Sequence, residues 1–198
     1  MYKRQGRATA RSPFAADEVR RRINGSVYVV WVDRGTDDRW TGLGSAVAIS
    51  TDTLLTNCHV VDETRRMALR QAERSATPTL LMGDSRTDRC FIRVDGLNLA
   101  PIVGVRTIES LQVGEAVYSL GNPEGHERVF GAGAILGVER RRDGLTVVRT
   151  SAPMTHGSSG GGLFDGYGNL VGITTYGLVD TSGTMVARYA IAAEEFWR

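Results

Sequence analysis

The sequence predicts an all-β protein, because apolar segments of strand length recur along the chain between turn sequences. The first such segment, residues 26–32, is followed by a polar loop, after which residues 41–49 return as a glycine-rich strand. The dipeptide Asp143-Gly144 is typical of a tight hairpin. Many short strands joined by turns of this kind are typical of a β-barrel.

The first half of the chain supplies one group of predicted strands. Residues 62–75 lie among them and are charged, so they are predicted to form a helical turn or a surface loop. The predicted strands of this half are residues 26–32, 41–49, 53–56, 80–82 and 90–94.

A second group of strands begins after residues 108–114, which are predicted to connect the two halves. Its strands are residues 116–120, 129–138, 145–150, 163–164, 170–175 and 186–191. Short helices are predicted at the two ends of the chain, over residues 13–23 and 192–198. In the first helix, Val19 and Ile23 are apolar positions at helical spacing.

Composition excludes several classes of function. The chain has 198 residues, of which 41% are apolar, and this suffices for a sizeable core without disulfides. The formal net charge is only +2, so nothing calls for nucleic acid or an acidic membrane as a partner. No apolar run approaches the ~18 residues of a membrane span. We also expect no metal and no cofactor.

The most informative stretch is the glycine- and serine-rich run at residues 157–162, GSSGGG. Such a run can adopt strained backbone geometry in which N–H groups point inward beside an exposed serine hydroxyl. An oxyanion hole needs this arrangement, with Ser159 as the candidate nucleophile. The alternative interpretation of the same run is a surface loop or linker.

A serine nucleophile needs a base, and the chain has three histidines. His156 is too close in sequence to Ser159 to reach it easily, and His126 lies in a turn-rich stretch. His59 interrupts an apolar, strand-like segment and is either a hydrogen-bonded core residue or a catalytic base. No histidine follows Ser159, which excludes the order of catalytic residues found in α/β-hydrolases.

Four motifs in sequence order resemble those of HtrA/Deg-type trypsin-like proteases. Residues 56–60, TNCHV, are similar to the histidine motif TNNHV of that family, and residues 87–96 resemble its aspartate strand. Residues 119–125, SLGNPEG, resemble its GNPxG segment. Residues 152–161, which begin with AP and end with GSSGG, resemble its nucleophile motif, APxxxGNSGG. The resemblance covers roughly residues 26–192.

The resemblance implies a chymotrypsin-like fold of two antiparallel Greek-key β-barrels with short helices at both ends. The protease domain would span residues 13–198, with an N-terminal barrel over about 25–105 and a C-terminal barrel over about 113–192. Residues 1–12 would be a disordered tail or a non-native extension. They are basic and lack the apolar stretch of a signal peptide.

In the catalytic mechanism that the resemblance implies, Ser159 attacks the scissile carbonyl and His59 transfers the proton. Asp88 holds the imidazole in the required tautomer, and the N–H groups of Gly157 and Ser159 bind the oxyanion. The chain would therefore be a serine endopeptidase whose partners are protein or peptide substrates.

Two other acids are alternatives to Asp88. Asp84 lies in the sequence GDS and Asp95 in the dipeptide DG, and both read as turns. Asp88 is favoured because the apolar strand that resembles the family's aspartate strand follows it directly.

The two cysteines, Cys58 and Cys90, lie next to presumed members of the triad and are expected to be neighbours. Two cysteines are too few for a disulfide framework. A bridge between them is one possibility, and two buried free thiols are the favoured one.

The resemblance also places residues that bind substrate. The strand that includes Thr175, Tyr176 and Gly177 matches the one that pairs with the substrate backbone, with Thr175 near Asp88. Neither an acidic residue nor a histidine lies where charge-selective relatives carry one, so we expect a pocket for small or medium apolar side chains. The residues expected to line this pocket are Pro153, Met154, Ala187 and Tyr189.

Two positions depart from the family pattern. Ser158 replaces the Asn or Asp that usually precedes the nucleophile, and Gly162 replaces a common Pro. A second class of function also stays open, in which a protease-like fold is held inactive or has decayed and serves as a peptide-binding or scaffold module, although the intact set His59, Asp88 and Ser159 argues against it. The resemblance favours a periplasmic or secreted location, with a cytoplasmic one as the alternative, and does not extend to the oligomeric state.

Overall fold

The computed structural model describes residues 4–5, 12–35, 40–122, 129–155 and 157–198. Strands dominate this part of the chain and form two sheets. The first half contains β1 (Arg4–Gln5), α1 (Ala16–Ile23), β2 (Val27–Asp33), β3 (Gly42–Ala48), β4 (Thr53–Thr56), α2 (Cys58–Val61), β5 (Arg66–Gln71), β6 (Arg74–Ala76), β7 (Thr79–Asp84) and β8 (Arg89–Arg93). The second half contains β9 (Val105–Arg106), β10 (Ala116–Gly121), β11 (Val129–Arg140), β12 (Thr146–Thr150), β13 (Gly162–Asp165), β14 (Leu170–Val179) and β15 (Met185–Ala192). Short 3-10 helices cover Asn24–Ser26, Ile108–Ser110 and Ala193–Trp197.

The sheet of the second half closes into a barrel. Its strand order is β1-β9-β14-β13-β10-β11-β12-β15, and β14 also pairs with β15, which closes a ring of six strands. Val117, Leu163 and Ala190 fill part of its core and are fully buried. Closure leaves these six strands no exposed sheet edge over most of their length.

The sheet of the first half is an antiparallel half-barrel with the order β6-β5-β2-β3-β4-β8-β7. Its core includes Val30, Leu54 and Ile92, all of them fully buried. The predicted all-β, chymotrypsin-like fold is therefore confirmed, with one closed barrel and one open one in the described residues.

A third apolar cluster joins the two sheets. It contains Val47 and Leu55 from the half-barrel, and Phe164 and Ile191 from the closed barrel. The predicted helices at the ends of the chain are present and also pack here, through Val19 and Ile23 of α1 and Phe196 of the last 3-10 helix. Burial of these side chains in one cluster fixes the two sheets against each other and so fixes the cleft between them.

One prediction about local structure was wrong. Residues 62–75 do not form a helical turn or a plain loop but include the strands β5 and β6, because β5 pairs with β2 and gains its backbone hydrogen bonds. Within residues 1–12, which were predicted to be a tail, Arg4 and Gln5 form β1 and pair in parallel with Val105 and Arg106. No helix in the described ranges has the length and apolarity of a membrane span.

Candidate active site

Ser159 lies on a tight turn between β12 and β13 whose shape depends on glycine. Gly160 has φ of 84°, and a Cβ atom at this position would lie 1.9 Å from the backbone oxygen of Ser45. A side chain there would therefore meet both backbone strain and a backbone clash. The turn holds Ser159 at the junction of the two sheets, since the N–H of Ser45 donates to the Ser159 carbonyl at 2.8 Å.

His59 lies on the single turn of α2, directly after β4. Its Nδ1 is 2.9 Å from Oδ2 and 3.0 Å from Oδ1 of Asp88, and its backbone N–H donates to Oδ1 at 2.9 Å. An ionised carboxylate only accepts hydrogen bonds, so Nδ1 carries the proton and Nε2 is left as the acceptor. The imidazole is half exposed, at 50% of its side-chain area, and faces the cleft.

Asp88 lies between β7 and β8 in a left-handed backbone conformation, with φ of 62°. Such a conformation is uncommon outside glycine, although aspartate adopts it more readily than most residues, and it is consistent with a position held by its surroundings. Burial alone would raise the pKa of Asp88. The bonds from the His59 ring and backbone, together with the Thr175 hydroxyl at 2.9 Å, outweigh burial and lower that pKa below its ordinary value.

The structure places the two alternative acids away from His59. Asp84 accepts bonds from Thr87 and Arg86 within its own turn. The side chain of Asp95 is 86% exposed and pairs with Arg93. Of the three aspartates considered from the sequence, Asp88 is the one that contacts the imidazole.

The Ser159 hydroxyl donates a hydrogen bond to the backbone oxygen of Thr175 at 3.0 Å. It makes no hydrogen bond to His59 among the described contacts. His59 and Ser159 nevertheless line the same cleft, whose volume is about 570 Å³. His59 and Ser159 therefore share one cleft, with the hydroxyl turned toward Thr175, and Asp88 contacts His59 from outside the lining of this cleft. The other two histidines, His126 and His156, lie outside the described residues.

Gly157 also lines the cleft, and its φ is 86°. Its carbonyl accepts a bond from the Ser45 hydroxyl at 2.8 Å, which fixes the orientation of this peptide group. Neither the N–H of Gly157 nor that of Ser159 has an acceptor within the described ranges. Two such N–H groups beside a hydroxyl can bind an oxygen that gains negative charge.

Several residues that support the turn were not identified from the sequence. Ser45, whose hydroxyl also accepts from the Asn122 N–H at 3.0 Å, is fully buried. Asn57 bridges the two sheets, since its Oδ1 accepts from Gly160 N–H at 2.8 Å and its Nδ2 donates to the Asp88 carbonyl at 3.1 Å. Asn57 belongs to the TNCHV motif, so its place beside His59 was a usable signal, whereas nothing in the local sequence marks Ser45.

The residues predicted to bind substrate fall into two groups. Those that line the cleft are Met154, Thr175, Tyr176 and Gly177, and those absent from its lining are Pro153, Ala187 and Tyr189. Tyr189 stacks on Tyr176 with ring centroids 4.9 Å apart, and Ala187 pairs with Leu178 in the β14–β15 ribbon. Pro153 packs against Gly131, since a Cβ atom added at Gly131 would lie 1.9 Å from Cγ of Pro153.

Further apolar side chains in the cleft were not predicted. Leu43, Val179 and Met185 contribute to its lining. Met185 folds over Gly177, where a Cβ atom would lie 2.3 Å from the Met185 sulfur. The absence of a side chain at Gly177 therefore leaves room for this methionine, which enters the cleft from β15.

Cys58 and Cys90 form a disulfide, with an S–S distance of 2.08 Å, so the expectation of two free thiols was wrong. The physical reason is strand register. β4 pairs with β8 so that Thr56 lies opposite Cys90, and the turn into α2 brings Cys58 to a Cα–Cα distance of 4.9 Å from Cys90. The bond ties the helix that carries His59 to the strand that follows Asp88.

One group of side chains has the spacing of metal ligands in the described part of the chain. It consists of Cys58, Asp62 and Cys90, whose ligand atoms lie within 4.8 Å of one another. Both sulfurs are joined in the disulfide, and a disulfide sulfur is not the thiolate that binds a metal. This group is therefore not a metal site in its oxidised form.

Comparison with known proteins identifies the family of the chain. Residues 44–173 match the family model described as "Trypsin-like peptidase domain". A probable periplasmic serine endoprotease DegP-like from Pseudomonas putida (strain GB-1) is 36% identical over 154 residues, covering 75% of this chain and 32% of the relative. The putative serine protease HhoB from Synechocystis is 31% identical over 156 residues, covering 74% of this chain and 37% of the relative. The chain thus spans about a third of the length of the curated relatives it matches.

Solved structures give the same result. The HtrA-type protease AlgW with tripeptide superposes with a TM-score of 0.82 at 26% identity, covering 92% of this chain and 61% of AlgW. A serine endoprotease from Yersinia pestis superposes with a TM-score of 0.76 at 26% identity, covering 93% of this chain and 65% of that protein. The motifs, the paired sheets and these matches agree, and the chain belongs to the trypsin-like peptidase domain family as an HtrA-type member.

Proposed function

We propose that the protein is a serine endopeptidase that acts through His59, Asp88 and Ser159 and through an acyl-enzyme. The observation that carries this proposal is the imidazole of His59, which is bound by both oxygens of Asp88 and faces a cleft shared with Ser159. Bound in this way, the ring keeps its proton on Nδ1 and offers Nε2 as a base.

The first half of the reaction needs one local movement. The Ser159 hydroxyl turns from the Thr175 carbonyl toward His59 Nε2, gives up its proton and attacks the scissile carbonyl. The negative charge that forms on the substrate oxygen is bound by the N–H groups of Gly157 and Ser159. His59 then returns the proton to the leaving amine, and water hydrolyses the acyl-enzyme by the same route in reverse.

An extended peptide fits the strand beside the cleft. From Thr175 onward, β14 pairs with β15 along one edge, and its other edge has no strand partner among the described residues. The backbone at Tyr176 and Gly177 can therefore add a substrate strand, which is how extended peptides are commonly recognised. This requirement favours unfolded or extended protein substrates.

The cleft favours a small or medium apolar residue before the cut. Met154, Val179 and Met185 line it, and none of the described residues that line the cleft is acidic. Burial of a methylene there gains about 0.8 kcal/mol, whereas burial of an unpaired charge costs several kcal/mol. We therefore propose cleavage after residues such as Val, Ala or Leu.

The relatives named periplasmic also support a periplasmic location for this protein.

The endopeptidase proposal is tested with a fluorophosphonate probe and with casein as an unfolded substrate. The wild-type chain should be labelled and should degrade casein, while Ser159→Ala should do neither and His59→Ala should lose nearly all activity. Both variants should keep a Tm close to that of the wild type, because Ser159 loses one hydrogen bond and His59 is half exposed. A wild-type protein that is neither labelled nor active would instead favour the inactive, peptide-binding module.

Substrate preference is tested by mass-spectrometric mapping of cleavage sites in a denatured protein digest. Val, Ala and Leu should dominate the position before the cut. Predominance of Lys or Arg there would show that the assignment of Met154 and its neighbours to the pocket is wrong.

A further inference from the structure

Ser159 lies between two strands that define the two sides of the cleft. On one side, Thr175 of β14 accepts the bond from its hydroxyl, and on the other side Ser45 of β3 donates to its carbonyl. A peptide paired with the free edge of β14 has the residues before the cut along that strand. The residues after the cut must then pass over the β3 side, where Gly42 and Leu43 line the cleft.

Arg34 lies on this leaving-group side, in the loop after β2. Its Nη2 donates to the backbone oxygens of His59 and Val60 at 2.9 and 2.8 Å, and its Nε donates to that of Asp62 at 3.2 Å. Three hydrogen bonds to the backbone of this one helical turn and the residue after it hold the planar guanidinium in one orientation at the end of α2. The side chain is thus ordered although the residue is exposed.

The third nitrogen of the guanidinium, Nη1, faces Gly42. A Cβ atom at Gly42 would lie 2.7 Å from Nη1, so the guanidinium lies directly against this part of β3. Nη1 has no hydrogen-bond acceptor in the part of the chain that the structure describes. Its two N–H donors therefore remain for a group that enters the cleft.

The charge of Arg34 is also not neutralised by the described carboxylates around it. The carboxylate of Asp33 pairs with Arg65 and Arg66, at 2.6 and 2.8 Å. Asp88 is bound to His59, and the carboxylate of Asp62 lies within 4.8 Å of the disulfide sulfurs. A fixed guanidinium with free donors and no ion pair to a described carboxylate is the arrangement that recognises a carboxylate.

We propose that Arg34 is a specificity determinant that selects a carboxylate on the first or second residue after the scissile bond. This inference rests on the endopeptidase function proposed above, and it concerns the leaving-group side of the cleft rather than the pocket before the cut. The carboxylate can be the side chain of Asp or Glu, or the free C-terminus of a substrate that ends one or two residues after the cut.

The test compares internally quenched peptides built on one mapped cleavage sequence, with Glu, Gln or Lys at each of the two positions after the cut. The wild type should prefer Glu over Gln by about fivefold in kcat/KM, the size expected for a partly exposed charge pair. The preference for Glu over Lys should be larger. Raising the salt from about 0.05 to 0.5 M should reduce the preference, because exposed charge pairs are screened.

Three variants separate specificity from structure. Arg34→Gln should bring the Glu to Gln ratio close to one, and Arg34→Lys should retain part of it. Arg93→Gln, which removes an exposed arginine of β8 outside the cleft lining, should leave the ratio at the wild-type value. Because Arg34 also binds the backbone of α2, each rate is divided by that on an acyl arylamide, which has no residue after the cut.

A second pair of peptides distinguishes the source of the carboxylate. Peptides that end one or two residues after the cut are compared as free acids and as amides. A preference for the free acid that Arg34→Gln abolishes assigns the C-terminal carboxylate, and a preference seen only with Glu inside a longer peptide assigns the side chain.

The outcomes are distinguishable. A wild type that cleaves the arylamide and the peptides with neither a Glu preference nor a free-acid preference, or with a preference that Arg34→Gln leaves intact, overturns the role of Arg34 and leaves the endopeptidase function standing. A wild type that cleaves neither the arylamide nor any peptide overturns the endopeptidase function and the role of Arg34 with it.

Discussion

Thr175 contacts both Asp88 and Ser159, since its hydroxyl donates to Asp88 Oδ2 at 2.9 Å and its carbonyl accepts from Ser159 Oγ at 3.0 Å. One residue of β14 thus orients the acid and holds the nucleophile in its resting position. The same strand is proposed to bind the substrate backbone. In the proposed mechanism, substrate binding and the orientation of Asp88 and Ser159 are therefore coupled through Thr175.

Replacement of Thr175 should reduce turnover more than binding. Thr175→Val removes the hydroxyl but keeps the branched shape, so Asp88 loses one of the bonds that fix its carboxylate. A hydrogen bond to a charged group contributes about 1.5–3 kcal/mol, so kcat should fall about 10- to 100-fold with KM little changed. Steady-state kinetics check this, and Thr175→Ser, which restores the hydroxyl, should recover most of the rate.

Asp88→Asn should remove most activity at neutral pH, by about three to four orders of magnitude. An amide can donate to His59 Nδ1 and so stabilise the tautomer that lacks the acceptor on Nε2.

In the wild type, kcat/KM should rise with pH through a single ionisation. The lowered pKa of Asp88 keeps its carboxylate charged, so the rise does not come from the ionisation of Asp88. pH-rate profiles of the wild type and of Asp88→Asn measure this rise and the rate lost in the variant. A flat profile for the wild type would contradict the role of His59.

The same substitution should change the pH dependence of stability. The pKa of Asp88 is lower in the folded chain than its unfolded value of about 3.9, so ionised Asp88 stabilises the fold above that value. This contribution is lost as the pH falls through the folded pKa. The Tm difference between the wild type and Asp88→Asn should therefore shrink below about pH 4. Thermal unfolding at a series of pH values tests this, and a difference independent of pH would refute it.

Ser45→Ala should impair the oxyanion site through its support. The variant leaves the Gly157 carbonyl and the Asn122 N–H without their partner, at a cost of about 1–3 kcal/mol in the free energy of unfolding. We expect a fall in kcat as well, because the peptide group of Gly157 is no longer fixed. Ser50→Ala is the matched control, since this serine bonds within the β3–β4 turn. Equal effects of the two substitutions on kcat would argue against the proposed role.

Removal of the disulfide should destabilise the chain and weaken the contact between His59 and Asp88. The cysteines are 32 residues apart in sequence, and closure of a loop of this size contributes about 3–4 kcal/mol in the chain-entropy model. The double variant Cys58→Ala, Cys90→Ala should lower the midpoint of urea unfolding accordingly. A reducing agent should lower the wild-type midpoint by a similar amount and leave that of the variant unchanged. A wild-type midpoint that does not change on reduction would contradict the prediction.

Much of the fold could be predicted because its signals are local. Strand-length apolar segments and hairpin dipeptides such as Asp143-Gly144 predict an all-β chain, and the motifs around His59, Asp88 and Ser159 identified the family. Strand register is not local. The pairing that places Thr56 opposite Cys90, and so allows the disulfide, depends on how β4 meets β8 and is not written in either segment.

The shape of the cleft was the least predictable part of the site for the same reason. Ser45 and Ser159 are far apart in sequence and meet only when the two sheets pack. Met185 enters the cleft because Gly177 on the neighbouring strand has no side chain, a relationship across the sheet. Met154 lies close to Ser159 in sequence and was predicted to line the cleft. Met185 also lines the cleft, but it is distant in sequence and was not predicted.

The bridge made by Asn57 has a consequence for how the chain matures. Its amide spans the junction, holding Asp88 in the half-barrel and Gly160 in the closed barrel. A sub-global opening that parts the barrels breaks this bridge while each sheet is still intact. In the proposed mechanism Ser159 is held at the junction by groups from both sheets, so a chain in which only one sheet has formed lacks this arrangement. We therefore expect that folding intermediates with undocked barrels do not cut one another.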